Sequence, residues 1–150
     1  MRTLYQTYET LLQNTTTGFK RYLYNEIKWD NRMIGIIGAR GVGKTTMILQ
    51  YIKENLDHKK ALYVSADDMY FSENRLVDLA DEFYKSAGEY LFIDEIHKYA
   101  NWRSICMHFN ARKPDPPFVF SLKHWFYPLM QGQNPAYSVL PVNNNHFIHV

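Results

Sequence analysis

Gly38-Ala39-Arg40-Gly41-Val42-Gly43-Lys44-Thr45-Thr46 is the stretch whose reading decides the fold. Its first eight residues fit G-x-x-x-x-G-K-[ST], the phosphate-binding loop. A polyphosphate is held by backbone N–H groups aimed at its oxygens, so side chains must be missing where the chain wraps it. Gly38, Gly41 and Gly43 allow that wrap, including φ > 0. Lys44 sets a compact positive charge against the β- and γ-phosphates, and the Thr45 hydroxyl is of the right type to ligate Mg²⁺. The following helix turns its partly positive N-terminus toward the same anion. Gly38 through Thr46 are therefore the candidate nucleotide-binding residues.

The flanks decide whether the match is meaningful. A chance match in a chain of this length is roughly a 1-in-200 event. Met33 to Ile37 is an apolar run suited to a buried strand, and Thr46 to Leu56 carries apolar residues at helical spacing. The strand–loop–helix order is the required one; a bare Gly-rich turn between strand and helix is the less specific alternative.

The 150 residues suffice for one domain with a core, and a formal net charge of +2 is too small for a nucleic-acid footprint. A single cysteine, Cys106, excludes an intrachain disulfide framework and suits a reducing cytosol. The start lacks the apolar core of a signal peptide and no run reaches membrane-spanning length, so the expected location is cytoplasmic, away from membranes. Composition changes abruptly near Trp102. Residues 1–100 carry 13 Lys+Arg and 14 Asp+Glu, residues 101–150 carry 4 and 1, and all six prolines lie at or after Pro114.

Along the chain, residues 3–14 read as an amphipathic helix and residues 19–27 as a second, shorter one. Lys20 and Arg21 on it suit a phosphate or a partner, with solvated charges as the favoured reading. Ala61 to Ser65 is the second strand. Asp67 and Asp68 at its carboxyl end suit either a Mg²⁺ shell or N-capping. Residues 74–85 form the next helix, and such alternation implies a parallel sheet with right-handed crossovers. Tyr90-Leu91-Phe92-Ile93-Asp94-Glu95 is an apolar strand ending in adjacent carboxylates. Acids at the tip of a buried strand are costly unless a cation or a task requires them. Beside a phosphate-binding loop, Asp94 is the candidate for the Mg²⁺ water shell and Glu95 for deprotonating an attacking water.

Residues 1–102 resemble bacterial ATP-binding proteins of the AAA-type superfamily, in particular those with a C-terminal domain of unknown function. The resemblance rests on Gly-Ala-Arg-Gly-Val-Gly-Lys-Thr-Thr at 38–46, Tyr-Val-Ser-Ala-Asp-Asp at 63–68, Leu-Phe-Ile-Asp-Glu-Ile-His-Lys-Tyr at 91–99, and Asn101-Trp102. It implies an α/β, three-layer P-loop NTPase sandwich with a parallel sheet, here incomplete, and a small helical N-terminal segment. It implies ATP as the nucleotide, Lys44 and Thr45 on phosphate and Mg²⁺, Asp94 on Mg²⁺, and Glu95 with Lys44 in catalysis. His97 matches the family's run without an assigned role, and by itself reads as a surface or helix-start histidine. The resemblance also implies a further strand between the two motif strands, for which Phe118-Val119-Phe120-Ser121 offers a stub, with Ser121 only a candidate for its polar sensor.

The expected organisation is a helical segment over 1–32, the P-loop core over 33–121 and an atypical tail over 122–150. That tail reads as poorly ordered, and from about residue 103 the chain reads as a divergent or frameshifted ending of a larger ATPase. The function expected is Mg²⁺-dependent ATP hydrolysis with an unidentified protein partner. The alternative is a truncated module that binds ATP with little turnover. A small-molecule kinase is disfavoured by the adjacent acid pair, and nucleic acid by the lack of any basic run.

Overall fold

The computed structural model describes residues 2–111, 117–123 and 145–150. The chain opens with α1 (Arg2–Asn14) and α2 (Leu23–Glu26), then β1 (Met33–Gly38), α3 (Lys44–Asn55), β2 (Ala61–Ser65), α4 (Leu76–Lys85), β3 (Tyr90–Asp94), α5 (Trp102–Ala111), β4 (Phe118–Lys123) and β5 (Asn145–His149). Short 3-10 turns at Met69–Ser72 and Ile96–Lys98 follow β2 and β3. The strands form one sheet in the order β2-β3-β4-β1-β5, every pairing parallel. Parallel strands covered on both faces must be apolar throughout, and β1 is buried at all six positions.

From β1 the chain crosses outward to the edge strand β2, then steps back through β3 to β4. Right-handed crossovers therefore put α3 on one face and α4 and α5 on the other, a three-layer arrangement. The reversal leaves a crevice outside the carboxyl ends of β1, β3 and β4, where open α/β sheets take ligands. Phe92 of β3 meets Tyr51 of α3 from one side, and Phe118 of β4 meets Phe109 of α5, ring centroids 4.6 Å apart. Cys106 is wholly buried in α5, and burial pushes its thiol pKa up, so it is inert as expected.

The N-terminal segment is strapped along α3. Lys53 Nζ donates to the carbonyls of Leu12 and Thr15, both at 2.8 Å, a cation at the negative end of α1. Gln50, only 3% exposed, donates to the carbonyls of Thr16 and Phe19. Trp29 stacks on Tyr51 with centroids 3.9 Å apart, and the Tyr24 hydroxyl donates to Glu54. The Gln50 bond takes the Phe19 carbonyl, and the helix expected over 19–27 is confined to Leu23–Glu26, with Phe19 and Tyr22 exposed. Lys20, expected to be solvated, pairs with Glu54 at 2.7 Å.

The expected strand between the two motif strands is β4, which lies between β3 and β1. Of the tail, Leu122 and Lys123 complete β4 and Asn145–His149 pair with the outer edge of β1. The rest of it, with Trp125-Phe126-Tyr127, lies outside the described residues. No helix among the described residues is long and apolar enough to cross a membrane.

Candidate functional site

The loop between β1 and α3 shows why its glycines are needed, and the reasons differ. Gly41 and Gly43 have φ of 80° and 87°, a region that costs other residues about 1–2 kcal/mol. Gly38 is instead crowded: a Cβ there would lie 2.7 Å from the Val150 carbonyl oxygen just after β5. Gly43 is the residue before α3, makes no side-chain cap, and no acidic residue sits in the first turn. The amides of that turn are thus left for an anion.

Lys44 is 5% exposed, and its ammonium folds back to donate to the carbonyls of Gly38 at 3.1 Å and Ala39 at 2.9 Å. The next residue reaches across the crevice: Thr45 Oγ1 donates to Asp94 Oδ2. Asp94 is 2% exposed. It also accepts from the Tyr63 hydroxyl at 2.8 Å, the Ser121 hydroxyl and the Glu95 amide at 3.0 Å. Burial, reinforced by the charge of Asp94, pushes the Tyr63 phenol pKa up and keeps it a donor.

Glu95 has φ 50° and ψ 37°, left-handed for a residue with a side chain. Such conformations persist only where surrounding contacts over-determine them. Here the Glu95 amide is pinned by both Asp94 Oδ1 and Ser121 Oγ. The turn brings His97 back beside Glu95, Nε2 lying 3.3 Å from Oε2. Burial, then the positive charges of Lys123, Lys98 and Lys44, lower the His97 pKa to about 4, so the ring is neutral at pH 7.

Lys44, Thr45 and Glu95 line one cavity of about 460 Å³ with Arg40, Gly41, Gly43, Thr46, Asp67, Lys98 and Lys123. Its lining holds four cationic side chains against two carboxylates, which favours a polyanion. Val42 stands behind the loop, its Cγ2 3.1 Å from where a Cβ on Gly38 would be. The acids after β2 divide: Asp67 faces the cavity and accepts from Ser65, whereas Asp68 caps the 3-10 turn through the Tyr70 amide. A larger cavity of about 760 Å³, lined by Phe71, Arg75 and Tyr99, shares Asp67 and Lys98 with this one but holds none of the glycine loop.

Tyr63, on Asp94, and Lys98 and Lys123, on the cavity wall, have no role assigned from the sequence, although Tyr63 and Lys98 lie within the stretches that carry the resemblance. Lys123 stands opposite Gly38 in the β1–β4 register, which no local pattern reveals. Tyr63 reads as an ordinary strand aromatic until β2 is placed beside β3.

The model of the family described as "AAA domain" matches residues 30–121. The matched span runs past the composition change near Trp102 and ends within β4. No curated protein sequence matches the chain. Among solved structures, a DNA replication initiation factor aligns over 99% of this chain and 45% of its own, with 16% identity and a TM-score of 0.52. The chain thus spans less than half the length of that structure, and the likeness concerns the fold. PCH-2 of C. elegans aligns with a TM-score of 0.43 and 13% identity, covering 98% of this chain and 41% of its own. Hsp104, in a closed-state reconstruction, also gives 0.43, with 16% identity over 99% of this chain and 26% of its own.

Proposed function

The chain belongs to the AAA domain family, a nucleotide-binding, ATPase-like domain, and from that premise we propose that it binds ATP with Mg²⁺ and hydrolyses the γ-phosphate. The observation that carries the reading is the contact of Thr45 with Asp94, which joins the glycine loop and the acid-tipped strand at one point. Those two residues supply a hydroxyl and a carboxylate, hard oxygen donors of the kind Mg²⁺ takes while keeping waters and substrate phosphates as its other ligands. Bound between Thr45 and Asp94, the ion would neutralise phosphate charge.

The chain's own residues would do the rest. The amides of Gly41 to Thr45 and the ammonium of Lys44 bind the β- and γ-phosphates, Lys44 exchanging its bonds to Gly38 and Ala39 for phosphate oxygens. The Glu95 carboxylate, at the cavity wall, takes a proton from water as the water oxygen bonds to the γ-phosphorus. The bond from that phosphorus to the β–γ bridging oxygen breaks, its electron pair leaves with ADP, and inorganic phosphate is the second product. Ser121, expected as a sensor of the γ-phosphate, is wholly buried and bonded to Asp94 and Glu95, so we assign it to holding those acids.

Turnover of Mg²⁺-ATP measured beside ATP affinity tests the reading. Lys44→Ala is expected to abolish binding. Glu95→Gln is expected to keep binding and lose turnover by roughly 10²–10⁴-fold. Tight binding with turnover indifferent to Glu95→Gln would instead support a binding module without hydrolysis.

A further inference from the structure

We infer that His97 is the positioning residue for Glu95: the buried ring holds the carboxylate at the cavity wall from behind. This rests on the reading that Glu95 receives the proton of the attacking water. The side chain of His97 is 3% exposed and that of Glu95 is 23% exposed, so one is packed and the other meets the cavity. The amide of Glu95 is fixed by two bonds, but its side chain has three free torsions and needs a second anchor. The left-handed turn supplies it by returning residue 97 to the carboxylate, at 3.3 Å. At that distance the pair lies just beyond ordinary hydrogen-bond length, and catalytic contacts commonly tighten when substrate binds.

A neutral ring suits this task better than a cation would. It carries one N–H, which orients a carboxylate oxygen while leaving the carboxylate its basicity. A charged partner would stabilise the ionised form and weaken it as a base. Burial, and after it the positive charges of Lys123, Lys98 and Lys44, keep the ring in that neutral form. The proton accordingly belongs on Nε2, the nitrogen facing Glu95.

Two substitutions separate positioning from mere filling of space. His97→Gln keeps an N–H donor, and His97→Leu keeps apolar bulk without one. Positioning predicts kcat lowered up to about 10²-fold in His97→Leu, substantially restored in His97→Gln, with KM for ATP unchanged in both. In a Glu95→Gln background His97→Leu should have no further effect. Without nucleotide, ¹⁵N spectra of labelled histidine should show the proton on Nε2 and a shift of that resonance in Glu95→Gln. An Nδ1–H tautomer, or a His97→Leu variant as active as wild type where Glu95→Gln is impaired, overturns the role of His97 alone. Full turnover in Glu95→Gln overturns the hydrolysis reading and this inference with it.

Discussion

Replacing Asp94 by alanine removes the acceptor shared by four donors: the hydroxyls of Thr45, Tyr63 and Ser121 and the amide of Glu95. The bonds from Tyr63 and Ser121 are buried, and hydrogen bonds to a charged group contribute roughly 1.5–3 kcal/mol each. Relief from burying a carboxylate offsets part of that sum, leaving a net loss of about 3 kcal/mol. For a domain of this size that lowers Tm by roughly 6–12 °C. Asp94→Asn keeps the shape and one acceptor oxygen and should cost only about 1 kcal/mol. The functional consequence is separable from the structural one. A ligand present at a hundred times its Kd raises stability by about 2.7 kcal/mol, so Mg²⁺-ATP should raise the Tm of the wild type well above that seen with ATP and EDTA. In Asp94→Asn that Mg²⁺-dependent increment should vanish. Thermal unfolding of the three proteins under both conditions reads all of this. An Asp94→Ala variant melting within a degree of wild type, or an Asp94→Asn variant with the full increment, refutes the reasoning.

Three further outcomes follow from the loop, the strap and the buried histidine. Gly43→Ala, at φ 87°, should cost about 1–2 kcal/mol in urea unfolding, whereas Gly38→Ala should displace the Val150 segment and show as lost amide-exchange protection in β5. Gln50→Ala leaves the carbonyls of Thr16 and Phe19 without their donor, so limited proteolysis should cut residues 15–22 much faster than in wild type. His97 has a folded pKa of about 4, below its unfolded value of about 6.5, so the unfolded chain binds that proton first. Stability from this site is therefore full above about pH 6.5 and is lost as pH falls toward 4, by at most about 3 kcal/mol. His97→Gln should flatten that part of the urea-midpoint profile; an unchanged profile would show that the ring is not buried neutral.

The elements visible in the sequence are those whose local pattern and tertiary place agree. Met33 to Ile37 and Leu91 to Ile93 are unbroken apolar runs, and each lies buried within a strand of the sheet. The glycine loop and the acid-tipped strand stand out locally by their spacing and composition, and the fold brings Thr45 of the one to Asp94 of the other. What escaped reading depends on non-local pairing. Asn145–His149 is a short run, with polar residues at Asn145, His146 and His149, that becomes a strand only because the outer edge of β1 is there to pair with. Phe19 to Tyr22 has helical periodicity, yet Gln50, distant in sequence, takes the carbonyl that a helix would need. The likeness of His97 to a surface histidine dissolves only when the left-handed turn at Glu95 is seen.

A crystal structure with Mg²⁺ and a non-hydrolysable ATP analogue tests the central claim most directly. The account predicts the β- and γ-phosphates beside the Lys44 ammonium, the metal between Thr45 Oγ1 and the Asp94 carboxylate, and Glu95 facing the γ-phosphorus. Nucleotide in the neighbouring cavity beside Phe71 and Tyr99, or a metal away from Asp94, would contradict it.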